Sequence, residues 1–92
     1  MPEASITVQG TPNPNAAKFT VDRTLVEGGA SKSYLDPASA AADPLASELF
    51  RIDGVESLLI ADDFVTVTKE ASASWDQLIT TIEQVIQKAL SS

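Results

Sequence analysis

Polar and apolar residues alternate through Ser5-Ile6-Thr7-Val8-Gln9, the period-two pattern of a strand with one buried face. Ala17, Phe19 and Val21 repeat the alternation, so a second strand follows, paired antiparallel with the first. Between them lies Gly10-Thr11-Pro12-Asn13-Pro14-Asn15. Its prolines fix φ and push the preceding residues toward extended forms, while its asparagines can bond to nearby backbone. This connection is longer than a minimal hairpin needs, and reads first as a rigid loop. Asp22 to Lys32, with Gly28-Gly29, shows little periodicity and reads as a loop. Ser33-Tyr34-Leu35 suggests a short edge strand, and Asp36 to Ala42 has no clear pattern.

A helix is expected to start at Asp43-Pro44, a side-chain acceptor at the N-cap followed by proline at the first helical position. Leu45, Ala46, Leu49 and Phe50 fall on one stripe, and Gly54 is the expected left-handed stop. Val55 to Ile60 and Phe64 to Lys69 then read as two strands around Ala61-Asp62-Asp63. With Ala61-Asp62 as the loop, Leu59 pairs with Phe64 and Leu58 with Val65. Leu58, Ile60, Val65 and Val67 then face the core. Leu59 and Phe64 share the other face with Ser57, Thr66 and Thr68, provided the loop has an even number of residues. They form either a small apolar docking patch or a surface covered by the Asp22–Lys32 loop.

A second helix begins at Ser74, where Gln77 completes a capping box. Trp75, Leu78, Ile79, Ile82, Val85, Ile86 and Leu90 keep the spacing 3,1,3,3,1,4, one continuous apolar stripe. Two helices cannot sheathe both faces of such a sheet. The expected fold is therefore α+β, an antiparallel sheet of four to five strands with two helices packed on one face.

Composition narrows the chemistry. Ninety-two residues suit one domain spanning 1–92. Met1 to Ser5 contains no basic region or apolar stretch, and no apolar run approaches the roughly 18 residues of a membrane span. The expected compartment is the cytoplasm, with no membrane partner. The chain has no Cys and no His, which excludes Ser-His-Asp and Cys-His catalysis within it, and the thiolate and imidazole ligands of zinc and iron–sulfur sites. A net charge of −7 argues against nucleic acid. Asp36 to Asp63 holds seven acids against Arg51 alone. This reads as a solvated face first and a docking site for a basic partner second. Asp62-Asp63 with Glu56 lacks the spacing of a calcium loop, so no metal and no cofactor are expected. Lys69, at a strand end, reads as surface charge.

Several segments together resemble a known family. Thr11-Pro12-Asn13-Pro14-Asn15-Ala16-Ala17-Lys18-Phe19 is similar to the opening TPNPNxxKF motif of the N-terminal domain of Nfu-type (NifU-like) iron–sulfur cluster scaffold proteins. Asp43-Pro44-Leu45-Ala46, Leu49-Phe50, Ile52 and Gly54-Val55 resemble its SPLAxxLFxIxGV stretch, with Asp43 in place of serine. Phe64 to Lys69, preceded by Asp63, resembles DFITVTK, and Trp75 falls where the family has its tryptophan. Ala61 stands in place of a turn glycine, Val21-Asp22 replaces Pro-Gly, and no Cys-x-x-Cys motif stands in this sequence.

The resemblance implies an α+β fold and a non-catalytic accessory role in iron–sulfur cluster assembly or delivery, beside a cysteine-bearing scaffold or acceptor protein. Thr11, Pro12, Asn13, Pro14 and Asn15 are the first candidate contacts, with Leu59 and Phe64 as the second. The competing readings are a stand-alone adaptor outside iron–sulfur chemistry and, more distantly, an enzyme or small-ligand binder working with carboxylates alone.

Overall fold

The computed structural model describes residues 5–26 and 29–91. Five strands, β1 (Ile6–Gly10), β2 (Ala16–Val21), β3 (Ser31–Tyr34), β4 (Val55–Ala61) and β5 (Phe64–Lys69), form one sheet in the order β1-β2-β5-β4-β3. Every neighbouring pair is antiparallel. Helices α1 (Pro44–Phe50) and α2 (Trp75–Ser91) pack on one face. The α+β expectation holds, with the sheet at the upper end of the expected strand number.

The period-two residues build the core. Ala17, Phe19, Val21, Leu58, Ile60, Val65 and Val67 meet Ala46 and Leu49 of α1 and Leu78, Ile82 and Ile86 of α2. Phe19, Leu49, Ile82, Ile86, Val65 and Val67 are fully buried, each worth roughly 1.5–3 kcal/mol relative to exposure. The α2 stripe thus reaches the sheet as its spacing predicts.

The helix caps are specific. Asp43 accepts the Ala46 N–H on Oδ1 at 3.1 Å and the Tyr34 hydroxyl on Oδ2 at 3.0 Å, so one carboxylate caps α1 and ties it to β3. Ser74 caps α2 by accepting the Asp76 N–H at 3.3 Å. The reciprocal Gln77 half of the expected box does not form among the described residues, where Gln77 is exposed.

Two element boundaries differ from expectation. Helix α1 ends at Phe50, not at Gly54, because Arg51 and Ile52 donate to the carbonyls of Glu48 and Leu49 and tighten the last turn. Gly54 has φ +101° in the following turn, and a Cβ there would lie 2.9 Å from Cβ of Ala73. The edge strand begins at Ser31 and includes Lys32, whereas Leu35 lies beyond it at 78% exposure. Gly28 of the predicted glycine pair lies outside the described residues.

The hairpin turn is Asp62-Asp63 rather than Ala61-Asp62, so Ala61 pairs with Phe64, Leu59 with Thr66 and Leu58 with Val67. Asp62 takes the left-handed φ of +42° that the turn requires, a conformation short polar side chains tolerate. The register moves by two, which preserves parity. Leu58, Ile60, Val65 and Val67 face the core as expected. A register shift between Val55 and Ser57 then turns Val55 to the core side as well.

Candidate interaction site

The Thr11–Asn15 loop is closed by its own polar groups. The Thr11 hydroxyl lies 2.9 Å from the Asn13 carbonyl and 3.1 Å from that of Ala16, and accepts the Asn13 N–H at 3.2 Å. Asn13 Oδ1 accepts the Asn15 N–H at 2.9 Å, a side-chain mimic of a backbone turn. The Ala16 N–H returns to the Asn13 carbonyl at 3.0 Å. Pro12, Asn13 and Pro14 are the exposed part, and Thr11 and Asn15 are half-buried.

Two side chains distant in sequence lock this loop to the body. Trp75 Nε1 donates to the Pro14 carbonyl at 3.0 Å. Lys69 Nζ donates to Asn15 Oδ1 at 3.1 Å and to the Glu70 carbonyl at 3.3 Å, while its backbone N–H donates to the Asn15 carbonyl at 2.7 Å. The Lys69 ammonium lies 6.0 Å from the Trp75 ring centroid, and that ring tilts against Phe19 at 6.4 Å. Lys69 is only 7% exposed, which corrects the reading of it as surface charge. Its strand parity places it on the helix side, beneath Trp75. The alternation Val65, Val67, Lys69 was the signal that could have found it.

Leu59 and Phe64 fall on the opposite side of the sheet, which neither helix covers. Across it run the rows Gln9, Lys18, Thr66, Leu59, Ser33 and Thr7, Thr20, Phe64, Ala61, Ser31. Leu59 and Phe64 are half-buried there, and Lys18 Nζ sits 4.3 Å from the Phe64 centroid. The Asp22–Lys32 loop does not shelter them among its described residues. Leu25 and Val26 donate to the Asp62 carbonyl at 2.6 and 3.1 Å, and Val26 enters the core. The two predicted groups of site residues therefore do not converge: the Thr11–Asn15 loop meets the Lys69 end of β5, and Phe64 begins its other end.

Two concavities matter. One of about 220 Å³ lies between the end of β1, the loop, Trp75 and Ile79. The other, about 740 Å³, is an open groove between α1 and α2 carrying Glu48, Asp53 and Glu70. Glu48 pairs with Arg51 at 3.5 Å, and no three acids among the described residues converge well enough to hold a metal ion.

This geometry defines a two-layer α+β domain with a rigidly braced loop at one end of its sheet. The sequence matches the family model described as Scaffold protein Nfu/NifU N terminal over residues 6–92, and the chain belongs to that family. It is 46% identical over 65 residues to the human NFU1 iron-sulfur cluster scaffold homolog, mitochondrial, covering 71% of this chain and 25% of that protein. It is 39% identical over 87 residues to NifU-like protein 5, mitochondrial, of Arabidopsis thaliana, covering 95% and 31%. The chain thus spans only a quarter to a third of the length of these relatives. Among solved structures, a NifU-like protein from Saccharomyces cerevisiae superposes with TM-score 0.84 at 29% identity, covering 97% of this chain and 80% of that one. SAV1430 from Staphylococcus aureus gives 0.78 at 28% identity, covering 88% and 96%.

Proposed function

We propose that this domain is a non-catalytic interaction module of iron–sulfur cluster assembly or delivery, acting beside a cysteine-bearing scaffold or acceptor. Family membership over residues 6–92 carries the reading. The cluster is cargo held by the partner, because the sequence supplies neither thiolate nor imidazole to bind it. Its oxygen ligands would not retain a sulfide cluster against water. The exposed Pro12-Asn13-Pro14 surface, held rigid by Trp75 and Lys69, is the proposed contact; preorganisation lowers the entropic cost of docking.

The test has two arms. The protein alone, incubated anaerobically with iron and sulfide, is expected to stay colourless. Mixed with a cluster-loaded Cys-x-x-Cys protein, it is expected to alter the rate of transfer to an apo-acceptor. A stoichiometric cluster absorbance from the chain by itself overturns the mechanism. Specific capture only of proteins without clusters or cysteine motifs would favour the stand-alone adaptor.

A further inference from the structure

The outer edge of β1 is built differently from the other edge of the sheet. The β3 edge carries Lys32 in a four-residue strand, the charged protection usual for an exposed edge. Strand β1 reads Ile6-Thr7-Val8-Gln9-Gly10, with no charge and no proline, and its pairing to β2 runs without a register shift. Its open side is the only unprotected sheet edge among the described residues.

A pocket opens at the end of that edge. Val8, Gly10, Pro14, Ala17, Trp75 and Ile79 contribute to its walls, and its volume of about 220 Å³ suits one side chain rather than a whole small-molecule ligand, which needs roughly 300–1,000 Å³. The indole bond to Pro14 keeps it preformed. On α2, Ile79 lies between Asp76 and Glu83 on the same stripe at helical spacing. Neither acid is in an ion pair among the described residues. Those acids are separated by about 10 Å of helix rise, close to the roughly 13 Å between positions i−2 and i+2 of a strand.

We propose that β1 accepts an extended segment of a partner protein as a sixth strand, with one apolar anchor in the Val8–Pro14–Trp75–Ile79 pocket and Lys or Arg two residues to either side facing Asp76 and Glu83. Main-chain hydrogen bonds supply the affinity, while the pocket and acids supply the selectivity. This rests on reading the domain as an interaction module, but it concerns the mode of recognition and is testable without any cluster protein.

The probe is the capped heptapeptide Thr-Lys-Thr-Phe-Thr-Lys-Thr, followed by Trp75 fluorescence, the sole tryptophan, and by backbone amide shifts. Binding is expected to move the amides of β1 and the Trp75 indole. Two versions, N-methylated at alternate residues in opposite phases, separate strand pairing from general adhesion. One phase is expected to lose at least about tenfold in affinity and the other to bind nearly as well, since only alternate N–H groups face the edge. Replacing both lysines by glutamate is expected to abolish binding. Asp76→Asn with Glu83→Gln is expected to erase the preference for lysine while the melting temperature falls by no more than a few degrees, the loss of one first-turn acid from α2. The proposal is overturned if both methylated phases bind alike, if the shifts map to the Glu48–Asp53 groove, or if the peptide does not bind at millimolar concentration.

Discussion

Strand β5 carries a lysine–aromatic contact near each end, and the two differ in everything but that pairing. At one end the Lys69 ammonium is sealed beneath Trp75, 7% exposed, with Asn15 Oδ1 and the Glu70 carbonyl as its acceptors. At the other, Lys18 lies over Phe64 on the bare face, both half-exposed. Water can replace any partner of Lys18. It cannot readily replace those of Lys69, where an unmet donor carries its full desolvation penalty. The loop-bearing end is therefore a structural lock, and the open face is a surface whose side chains contribute less to the fold.

The largest effect should follow from Trp75→Ala, which removes the ring from both Phe19 and Lys69 and the indole bond to the Pro14 carbonyl. Because Trp75 is half-buried, the cost is set at about 2–4 kcal/mol, below the roughly 3–5 of a fully buried ring. At about 4–8 °C per kcal/mol for a domain of this size, thermal melting should fall by at least about 8 °C. A change of only a couple of degrees would break the distinction between the two ends.

Next comes Asn15→Ala, expected to cost about 1–3 kcal/mol by stripping the buried ammonium of its side-chain acceptor. Asn15→Asp, which retains an acceptor, should recover most of that loss in denaturant titrations. Equal melting of the alanine and aspartate forms would show that Lys69 finds another partner. Asn13, exposed and bonded only within the loop, is thus the better probe of partner contact; Asn15 is too deeply committed to the fold.

Phe64→Ser sharpens the other half of the comparison. Half-buried in a central strand, Phe64 has part of its apolar area and one cation–π contact at stake, so the change should cost about 1–2 kcal/mol. Unfolding of this variant would mean that the bare face is shielded after all. If partner affinity drops while the domain stays folded, Leu59 and Phe64 gain a direct part in docking.

The smallest effect at neutral pH belongs to Tyr34→Phe, about 0.5–1 kcal/mol for one half-buried hydrogen bond. Desolvation first, and the hydrogen bond to Asp43 second, raise the Tyr34 phenol above its ordinary 10.0. A raised folded value means the contribution is complete below the unfolded value and is lost as pH rises through the folded one. Wild-type stability should therefore decline above about pH 10, and the phenylalanine variant should show a shallower decline; parallel profiles would rule out Tyr34 as the source.

Much of this architecture was legible because apolar periodicity is a local signal with a global consequence. Phe19, Val65 and Ile82 reach the core for the reason their spacing states. The hairpin shows the limit: parity survived a two-residue error in the turn, since period two cannot distinguish registers that differ by two. Asp62 in the left-handed region had no glycine to announce it. Lys69 was misread because charge type outweighed strand parity, and its acceptor lies 54 residues away. The Thr11–Asn15 motif announced a rigid loop, but nothing in its own residues reveals that Trp75 and Lys69 hold it.

That long-range bracing has a consequence for the order of folding. The bonds from Lys69 to Asn15 and from Trp75 to Pro14 span 54 and 61 residues, so a nascent hairpin of β1 and β2 can close the loop's internal turn but cannot brace it. Its final shape must await pairing of β2 with β5 and docking of α2, events slowed by the entropy of closing long chain segments. The expected consequence is that the braced end of the loop unfolds with the core, so the Lys69 amide bonded to Asn15 should exchange with solvent deuterium only through global unfolding, at the same free energy as the central strands.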